Sequence, residues 1–226
     1  MPDRVNVPRM DGRTERWRVH RLERREEFVD AALRALEKYG PDVAVAQIAA
    51  EARVAKPRLY RHFDDKADLL SAVQDRISAL LWERLTAALD PDEAPANLVR
   101  RGLDAFLSVV DEYPNTFRML IHPGAATERV LEDSKRIADV LSALISGQLL
   151  TMGVDPEGAE PWGHALNGAV GGATFWWLEH RTISKETLIK HLSTVILGSL
   201  ERIAKEAGVV IDLEQPIKSQ TIRTVP

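Results

Sequence analysis

The sequence contains no cysteine, few aromatic residues and no long apolar run. Without cysteine the chain has no disulfide scaffold, no thiol nucleophile, no iron–sulfur cluster and no Cys-ligated zinc site. No apolar run approaches the roughly 18 residues of a membrane-spanning helix, and the arginine-rich start has no hydrophobic signal core. We therefore expect a cytoplasmic protein with no membrane partner. Its composition, 45% hydrophobic and 28% charged, is typical of a folded globular chain.

The net charge is small but unevenly distributed. Over 226 residues the formal net charge is −4, so the chain as a whole is not a polycation. Residues 1–66 hold 15 Lys and Arg against 12 Asp and Glu, a net charge of +3, whereas residues 67–226 hold 15 against 22, a net charge of −7. This asymmetry favours a basic N-terminal part that attracts an anionic partner to one end of an acidic body.

Apolar residues recur at three- and four-residue intervals along almost the whole chain, and period-2 alternation is nearly absent. This periodicity predicts an all-α fold. Breakers such as Gly40–Pro41, Asp90–Pro91 and His122–Gly124 separate the predicted helices. We expect a flexible basic arm over residues 1–23, a three-helix domain over 24–70, a larger helical body over 71–207 and a tail over 208–226.

The segment from Ala44 to Leu70 has the pattern of two short helices joined by a tight turn. Small or apolar residues suited to a close helix crossing occur in the first of them: Ile48, Ala49 and Ala52. In the second, three residues are spaced to face inward: Leu59, Tyr60 and Phe63. The residues left on its outer face are basic or polar: Lys56, Arg58, Arg61 and His62. A short helix with a basic outer face after a tight turn suits the major groove of DNA.

This segment resembles the helix-turn-helix of the TetR family of transcriptional regulators. The matching positions are Ile48–Ala49, Ala52–Arg53–Val54, Leu59–Tyr60 with Phe63, and Lys66 with Leu69–Leu70. The resemblance implies an N-terminal three-helix, helix-turn-helix domain joined to a larger helical domain for ligand binding and dimerisation. It also implies a homodimer that binds a palindromic operator in double-stranded DNA, with no cofactor and no enzymatic activity.

Three departures from the family pattern affect the expected geometry. Arg53 stands where the family usually has glycine, and a left-handed backbone there costs an L-residue about 1–2 kcal/mol. Ala44 and Ala55 replace the usual hydroxyl caps of the two short helices, each forfeiting about 1 kcal/mol. Because Pro57 disfavours helical geometry at Lys56 and suits the first helical position, we expect the recognition helix to begin at Pro57.

The resemblance also implies a set of DNA contacts: Gln47, Lys56, Pro57, Arg58, Tyr60, Arg61, His62 and Lys66. Arg58 is the expected base reader, because its planar guanidinium can bond guanine O6 and N7 together. Gln47 suits either adenine or a phosphate. Tyr60, His62 and Lys66 suit phosphates, although Tyr60 is alternatively a core aromatic and His62 a plain surface residue. The N-terminal arginines suit the adjacent minor groove.

The predicted body has enough large apolar residues to line a cavity, although most aromatics at helical spacing belong to the core. A mainly hydrophobic pocket with a few polar groups suits a small apolar or amphipathic effector. The candidate lining residues are Trp82, Leu103, Phe106, Phe117, Leu120, Leu141, Leu144, Asn167 and Phe175.

Glycines are crowded into one predicted helix of the body, where each costs up to about 1 kcal/mol relative to alanine. Close approach of another helix through Gly168-x-x-x-Gly172 explains this crowding, and a bent helix beside a ligand is the alternative. We expect the dimer interface in the last two helices: Gly168, Gly172, Trp176, Leu192, Val195 and Ile196.

Together these features predict a ligand-responsive transcriptional regulator. By the resemblance it is a repressor released from DNA by its effector, and an activator is the alternative. The sequence lacks G-x-S-x-G, H-E-x-x-H and P-loop motifs, and its histidines are scattered singly, which disfavours an enzyme. A helical protein-interaction module built on Trp176–Trp177 is a further alternative, but it leaves the basic short helix without a role.

Overall fold

The computed structural model describes residues 12–90, 92–121, 128–219 and 223–224. It contains the helices α1 (Gly12–Tyr39), α2 (Val45–Glu51), α3 (Lys56–Leu59), α4 (Lys66–Ala88), α5 (Pro95–Glu112), α6 (Pro114–Ile121), α7 (Glu128–Thr151), α8 (Ala159–His180) and α9 (Lys185–Glu206). The two-residue strands β1 (Val209–Val210) and β2 (Arg223–Thr224) pair antiparallel, and a 3-10 helix spans Ile217–Ser219. The predicted all-α class is confirmed. The chain divides into two compact units, Met1–Arg76 and Ile77–Pro226.

In the N-terminal unit, α2 packs against α1 and α3 packs against α2. The apolar faces of these helices and of the start of α4 are buried: Phe28, Ala32, Leu36, Ile48, Ala49, Leu59, Phe63, Leu69 and Val73. Burial of these side chains stabilises the unit at roughly 25 cal/mol per Å² of apolar surface removed from water.

The predicted boundary at residue 24 is wrong, because α1 begins at Gly12 and residues 12–23 are helical. Arginine, glutamate and leucine dominate this segment and are good helix formers, so it needs no buried face to extend the helix. An i,i+3 ion pair between Arg24 and Glu27 supports the same helix. The remainder of the predicted arm, residues 1–11, lies outside the described residues, as does the predicted breaker His122–Gly124.

In the C-terminal unit, α7 packs along α8 and α5 packs along α9. The main cluster of buried side chains joins α5, α8 and α9: Leu103, Leu107, Val110, Trp177, Leu178, Leu188, Leu192 and Ile196. The Trp177 indole donates a hydrogen bond to the Ile183 carbonyl at 2.9 Å. The ring is therefore buried while its N–H group keeps a hydrogen-bond partner. None of the described helices is long and apolar enough to cross a membrane.

The segment after α9, predicted only as a tail, packs on this unit where the structure describes it. Val209 and Ile217 are buried, and the Leu213 carbonyl accepts a hydrogen bond from the Ala96 amide at 2.9 Å. Single apolar residues spaced among polar ones have no helical period, which is why the sequence did not predict this packing.

Candidate nucleic-acid interface

The turn between α2 and α3 has a left-handed backbone although it contains no glycine, so the turn keeps its shape and bears the strain. Arg53 has φ 55°. The Ala52 amide donates to the Ile48 carbonyl at 2.9 Å, and the Val54 amide donates to the Ala49 carbonyl at 2.9 Å, so the end of α2 is closed around Arg53. The absence of glycine therefore leaves the fold of the turn intact, at the cost of about 1–2 kcal/mol of strain.

Both short helices begin at alanine caps, and at α2 a side-chain hydrogen bond partly compensates for the missing cap. Ala44 and Ala55 have extended backbones and offer no side-chain acceptor. The Gln47 carbonyl oxygen accepts a hydrogen bond from the Ala44 amide at 2.7 Å, which is one half of a capping box. The recognition helix begins at Lys56, so the predicted start at Pro57 is wrong. At the second helical position Pro57 removes no intrahelical bond, because the first four amides of a helix lack such partners anyway.

The face of α3 opposite its core contact is exposed and basic. Leu59 is buried, while Lys56, Pro57 and Arg58 are exposed, as is Arg61 just beyond the helix. Arg58 thus has the accessible position that base reading requires.

Tyr60 is 48% exposed, so the prediction that it faces inward is wrong. Since α3 ends at Leu59, the helical spacing that placed Tyr60 on the inner face stops before it. Tyr60 is therefore accessible to solvent rather than part of the core.

His62 departs from its predicted outer position and is half-buried. Its ring meets Phe28 of α1 edge to face, with centroids 5.2 Å apart, and its Nδ1 is buried with no hydrogen-bond partner among the described residues. Burial is the main cause that lowers the pKa of His62, and nearby positive charges lower it further: Arg21, Arg58, Arg24 and Arg25. Three of these arginines belong to α1, so helix packing brings them close to His62, which sequence spacing does not reveal.

The turn from α3 to α4 places Lys66 at the first residue of a long helix. Asp65 caps that helix, because its Oδ1 accepts a hydrogen bond from the Asp68 amide at 2.8 Å. Lys66 is half-buried and is the first residue of this helix, where the backbone amides also favour anions. This placement suits the predicted contact with a phosphate.

In the C-terminal unit, the residues predicted to line the effector pocket differ in burial. Leu103 belongs to the main core cluster, and Phe106 and Phe117 pack against that cluster. The rings of Phe106 and Phe117 meet each other edge to face, with centroids 6.3 Å apart. Phe175 is 43% exposed and lies outside the buried cluster, and its assignment to a pocket lining stays a prediction. The α8 face that carries it turns away from the core occupied by Trp177.

Other predicted lining residues are half-buried: Trp82, Leu120, Leu141, Leu144 and Asn167. The Trp82 ring lies under the Arg136 guanidinium at 4.2 Å, and its Nε1 is buried with no hydrogen-bond partner in the part of the chain that the structure describes. The Asn167 amide donates to the Ser134 hydroxyl at 2.9 Å, so it joins α8 to α7.

A cleft of about 470 Å³ opens where α7 and α9 end. Its lining differs from the predicted set: Met152, Gly153, Val154, Asp155, Trp162, Ile203, Glu206, Ala207 and Val209. Across the described part of the chain, no three His, Asp or Glu side chains are grouped as ligands for a metal ion.

The predicted dimer residues separate into two groups. Gly168 and Gly172 are exposed, with nothing within 4 Å of a Cβ built on either, and Trp176 and Val195 are 41% and 57% exposed. Two others do not face outward: Leu192 and Ile196 are buried in their own subunit's core, so their assignment to the interface is wrong. The apolar stripe that suggested them is used in packing α9 on α5.

Comparisons with known proteins agree with this arrangement. Residues 28–73 match the family model described as bacterial regulatory proteins, tetR family, and residues 84–210 match the tetracyclin repressor-like C-terminal domain. An uncharacterized HTH-type transcriptional regulator of Mycobacterium tuberculosis is 33% identical over 216 residues, covering 94% of this chain and 92% of that protein.

Solved structures share the fold. A tetR-family transcriptional regulator from Streptomyces coelicolor matches with a TM-score of 0.67 at 21% identity, over 82% of this chain and 85% of that one. A TetR-like transcriptional regulator from a Rhodococcus species matches with a TM-score of 0.63 at 23% identity, over 78% and 95%. The chain therefore belongs to the TetR family of DNA-binding transcriptional regulators, whose role is regulatory and not enzymatic.

Proposed function

We propose that this chain is a homodimeric repressor that binds a palindromic operator through α3. It dissociates from the operator when a small amphipathic effector binds the C-terminal unit. The observation that carries the proposal is the exposed basic face of α3. A helix of four residues touches too few base pairs for useful specificity. A dimer would present two such helices about 34–36 Å apart, one turn of DNA.

Within this interface, Arg58 reads a base and Lys66 binds a phosphate. Gln47 takes a phosphate instead of adenine, because its carbonyl oxygen is already used by the Ala44 amide and adenine requires both amide groups. Lys56, Pro57, Tyr60 and Arg61 lie exposed around Arg58, and their contacts supplement it.

Gel-shift titration on DNA upstream of the protein's own gene tests these roles. Arg58→Ala should relax preference at one position in each half-site. Lys66→Ala should weaken binding to all sequences alike and flatten the plot of log K against log salt by about one. Lys205→Ala, an exposed lysine in the C-terminal unit, is the control and should change neither quantity. Equal effects of Arg58→Ala and Lys66→Ala on sequence preference would contradict the division of roles.

The dimer forms through the outward faces of α8 and α9. Exposed apolar side chains lie there beside three glycines with open space above them: Gly168, Gly171 and Gly172. Such glycines weaken α8 unless a second copy approaches closely. Sedimentation velocity tests this: Gly168→Leu should shift the chain toward monomer, whereas Gly147→Leu on an open face of α7 should not. A monomeric wild-type chain would contradict the proposal.

Three buried polar atoms of the C-terminal unit support an effector that is amphipathic and not purely apolar. The Trp82 Nε1, the Thr174 Oγ1 and the Ser193 Oγ have no hydrogen-bond partner among the described residues, which is rare in folded proteins. A ligand's polar atoms could satisfy them within otherwise apolar surroundings.

Thermal-shift screening of apolar and amphipathic compounds, followed by gel shift, tests the effector. A compound that raises the melting temperature should weaken operator binding by about 5- to 150-fold. Tight binding with unchanged DNA affinity would contradict effector control. Transcript levels in a strain lacking the chain separate repression, which predicts a rise, from the alternative of activation, which predicts a fall.

A further inference from the structure

Arg25 of α1 bonds both to the turn between α3 and α4 and to the first turn of α4. Its Nη1 donates to the His62 carbonyl at 2.5 Å, and its Nη2 donates to Asp68 Oδ1 at 2.8 Å. Its guanidinium carbon lies 4.1 Å from the centroid of the Phe63 ring. These contacts span 37 and 43 residues of sequence, so they tie the first helix to the loop that leads into α4.

Asp68 carries the connection onward into the turn itself. Its second oxygen, Oδ2, accepts a hydrogen bond from the Asp64 amide at 3.0 Å, and its own amide donates to Asp65 Oδ1 at 2.8 Å. The hydrogen bond from Arg25 is the main cause that lowers the pKa of Asp68, and the Asp64 amide lowers it further. The carboxylate is therefore ionised at neutral pH: its Oδ1 accepts from Arg25, and its Oδ2 holds the backbone amide of Asp64, two residues before Lys66.

The clamp formed by Arg25 with Asp68 and the His62 carbonyl differs from the ion pair of Arg34 on the same helix. Arg25 and Asp68 are each about one-third exposed and directly hydrogen-bonded, with an aromatic ring beneath the guanidinium. Arg34 of the same helix is 57% exposed and reaches Glu51 only at 3.4 Å. Partly buried, charge-assisted hydrogen bonds constrain geometry, whereas exposed pairs contribute little.

We propose that Arg25 is a positioning residue for DNA binding, which fixes the α3–α4 turn so that Lys66 faces a phosphate, and does not itself touch the DNA. Both terminal nitrogens of Arg25 are directed at protein acceptors, and one face of its guanidinium is covered by Phe63. Its charge is matched by Asp68. The inference rests on the proposed contact between Lys66 and the operator.

Operator affinity and its salt dependence, measured on the full chain, test the inference. Arg25→Gln should weaken binding about tenfold while leaving the slope of log K against log salt unchanged, because no phosphate contact of its own is lost. Arg34→Gln is the matched control and should alter neither quantity. Circular dichroism at the assay temperature establishes that each variant is folded, so that lost affinity is not lost protein.

A double-mutant cycle adds a readout that general destabilisation would not move. Asp68→Asn should weaken binding to a similar degree, and the double variant should be no weaker than either single variant, because both remove one clamp. If Arg25→Gln melts below the assay temperature, Arg25→Lys serves instead. Its single ammonium keeps the charge but loses the planar fork that reaches both acceptors, so affinity should fall at constant slope.

Two results would overturn the inference while leaving the proposed function intact. A folded Arg25→Gln chain that binds within about twofold of wild type would show that the clamp does not position the turn. A salt slope lower by about one would show that Arg25 meets a phosphate directly. Failure of the wild-type chain to bind any operator would instead overturn the proposed function, and this inference with it.

Discussion

Replacing Gly163 with alanine should destabilise the C-terminal unit, although alanine is the better helix former. A Cβ at Gly163 would lie 2.7 Å from the Ser142 amide nitrogen and 2.9 Å from the Ala138 carbonyl oxygen. Both are backbone atoms, so α8 has to move away from α7. The Ser142 hydroxyl, 2.2 Å from the same point, can turn aside only by giving up its hydrogen bond to Ala138.

The magnitude follows from two opposing effects. Overpacking of a tight contact costs about 1–3 kcal/mol, and the helix propensity of alanine returns about 1 kcal/mol. We expect a net loss of up to about 2 kcal/mol in the free energy of unfolding. Gly147→Ala is the control, because a Cβ there meets nothing within 4 Å, and it should stabilise the chain by up to about 1 kcal/mol.

Urea unfolding followed by tryptophan fluorescence measures both changes. Four of the five tryptophans report on the C-terminal unit: Trp82, Trp162, Trp176 and Trp177. The two alanine variants should shift the midpoint in opposite directions at constant m-value. A Gly163→Ala chain as stable as Gly147→Ala would refute the close α7–α8 packing.

Two further predictions concern strain and pH. Arg53→Gly should raise the free energy of unfolding of the N-terminal unit by about 1–2 kcal/mol in circular dichroism melts, because φ is 55° there. Arg181→Gly, also at positive φ, should gain less because it loses the ion pair to Asp111 at 2.5 Å, and equal gains would contradict this. Since burial lowers the pKa of His62 in the folded state, the unfolded chain binds its proton more readily, and stability should fall as pH drops below about 6.5. His62→Gln should flatten that decline, and an unchanged profile between pH 7 and 5 would show that His62 is not its source.

Much of this fold could be predicted because its signals are local. Apolar spacing of three and four residues identifies helices regardless of what packs on them. The exposed position of Arg58 also follows from neighbours within a few residues, whereas the sequence left open whether the turn at Arg53 would keep a left-handed backbone. Even locally there were errors: Pro57 disfavours but does not forbid a helical Lys56, so the helix starts one residue earlier.

By itself, the sequence determined which segments are helical, where the DNA-binding turn lies and which cations follow it. Only the tertiary structure decided which neighbour each apolar face meets. Leu192 and Ile196 pack within their own subunit, and His62 turns toward Phe28. Arg25 reaches the turn before α4 across 37 residues of chain. The physical reason is that helical periodicity marks a face for burial, whereas the covering element is selected by packing among segments distant in sequence.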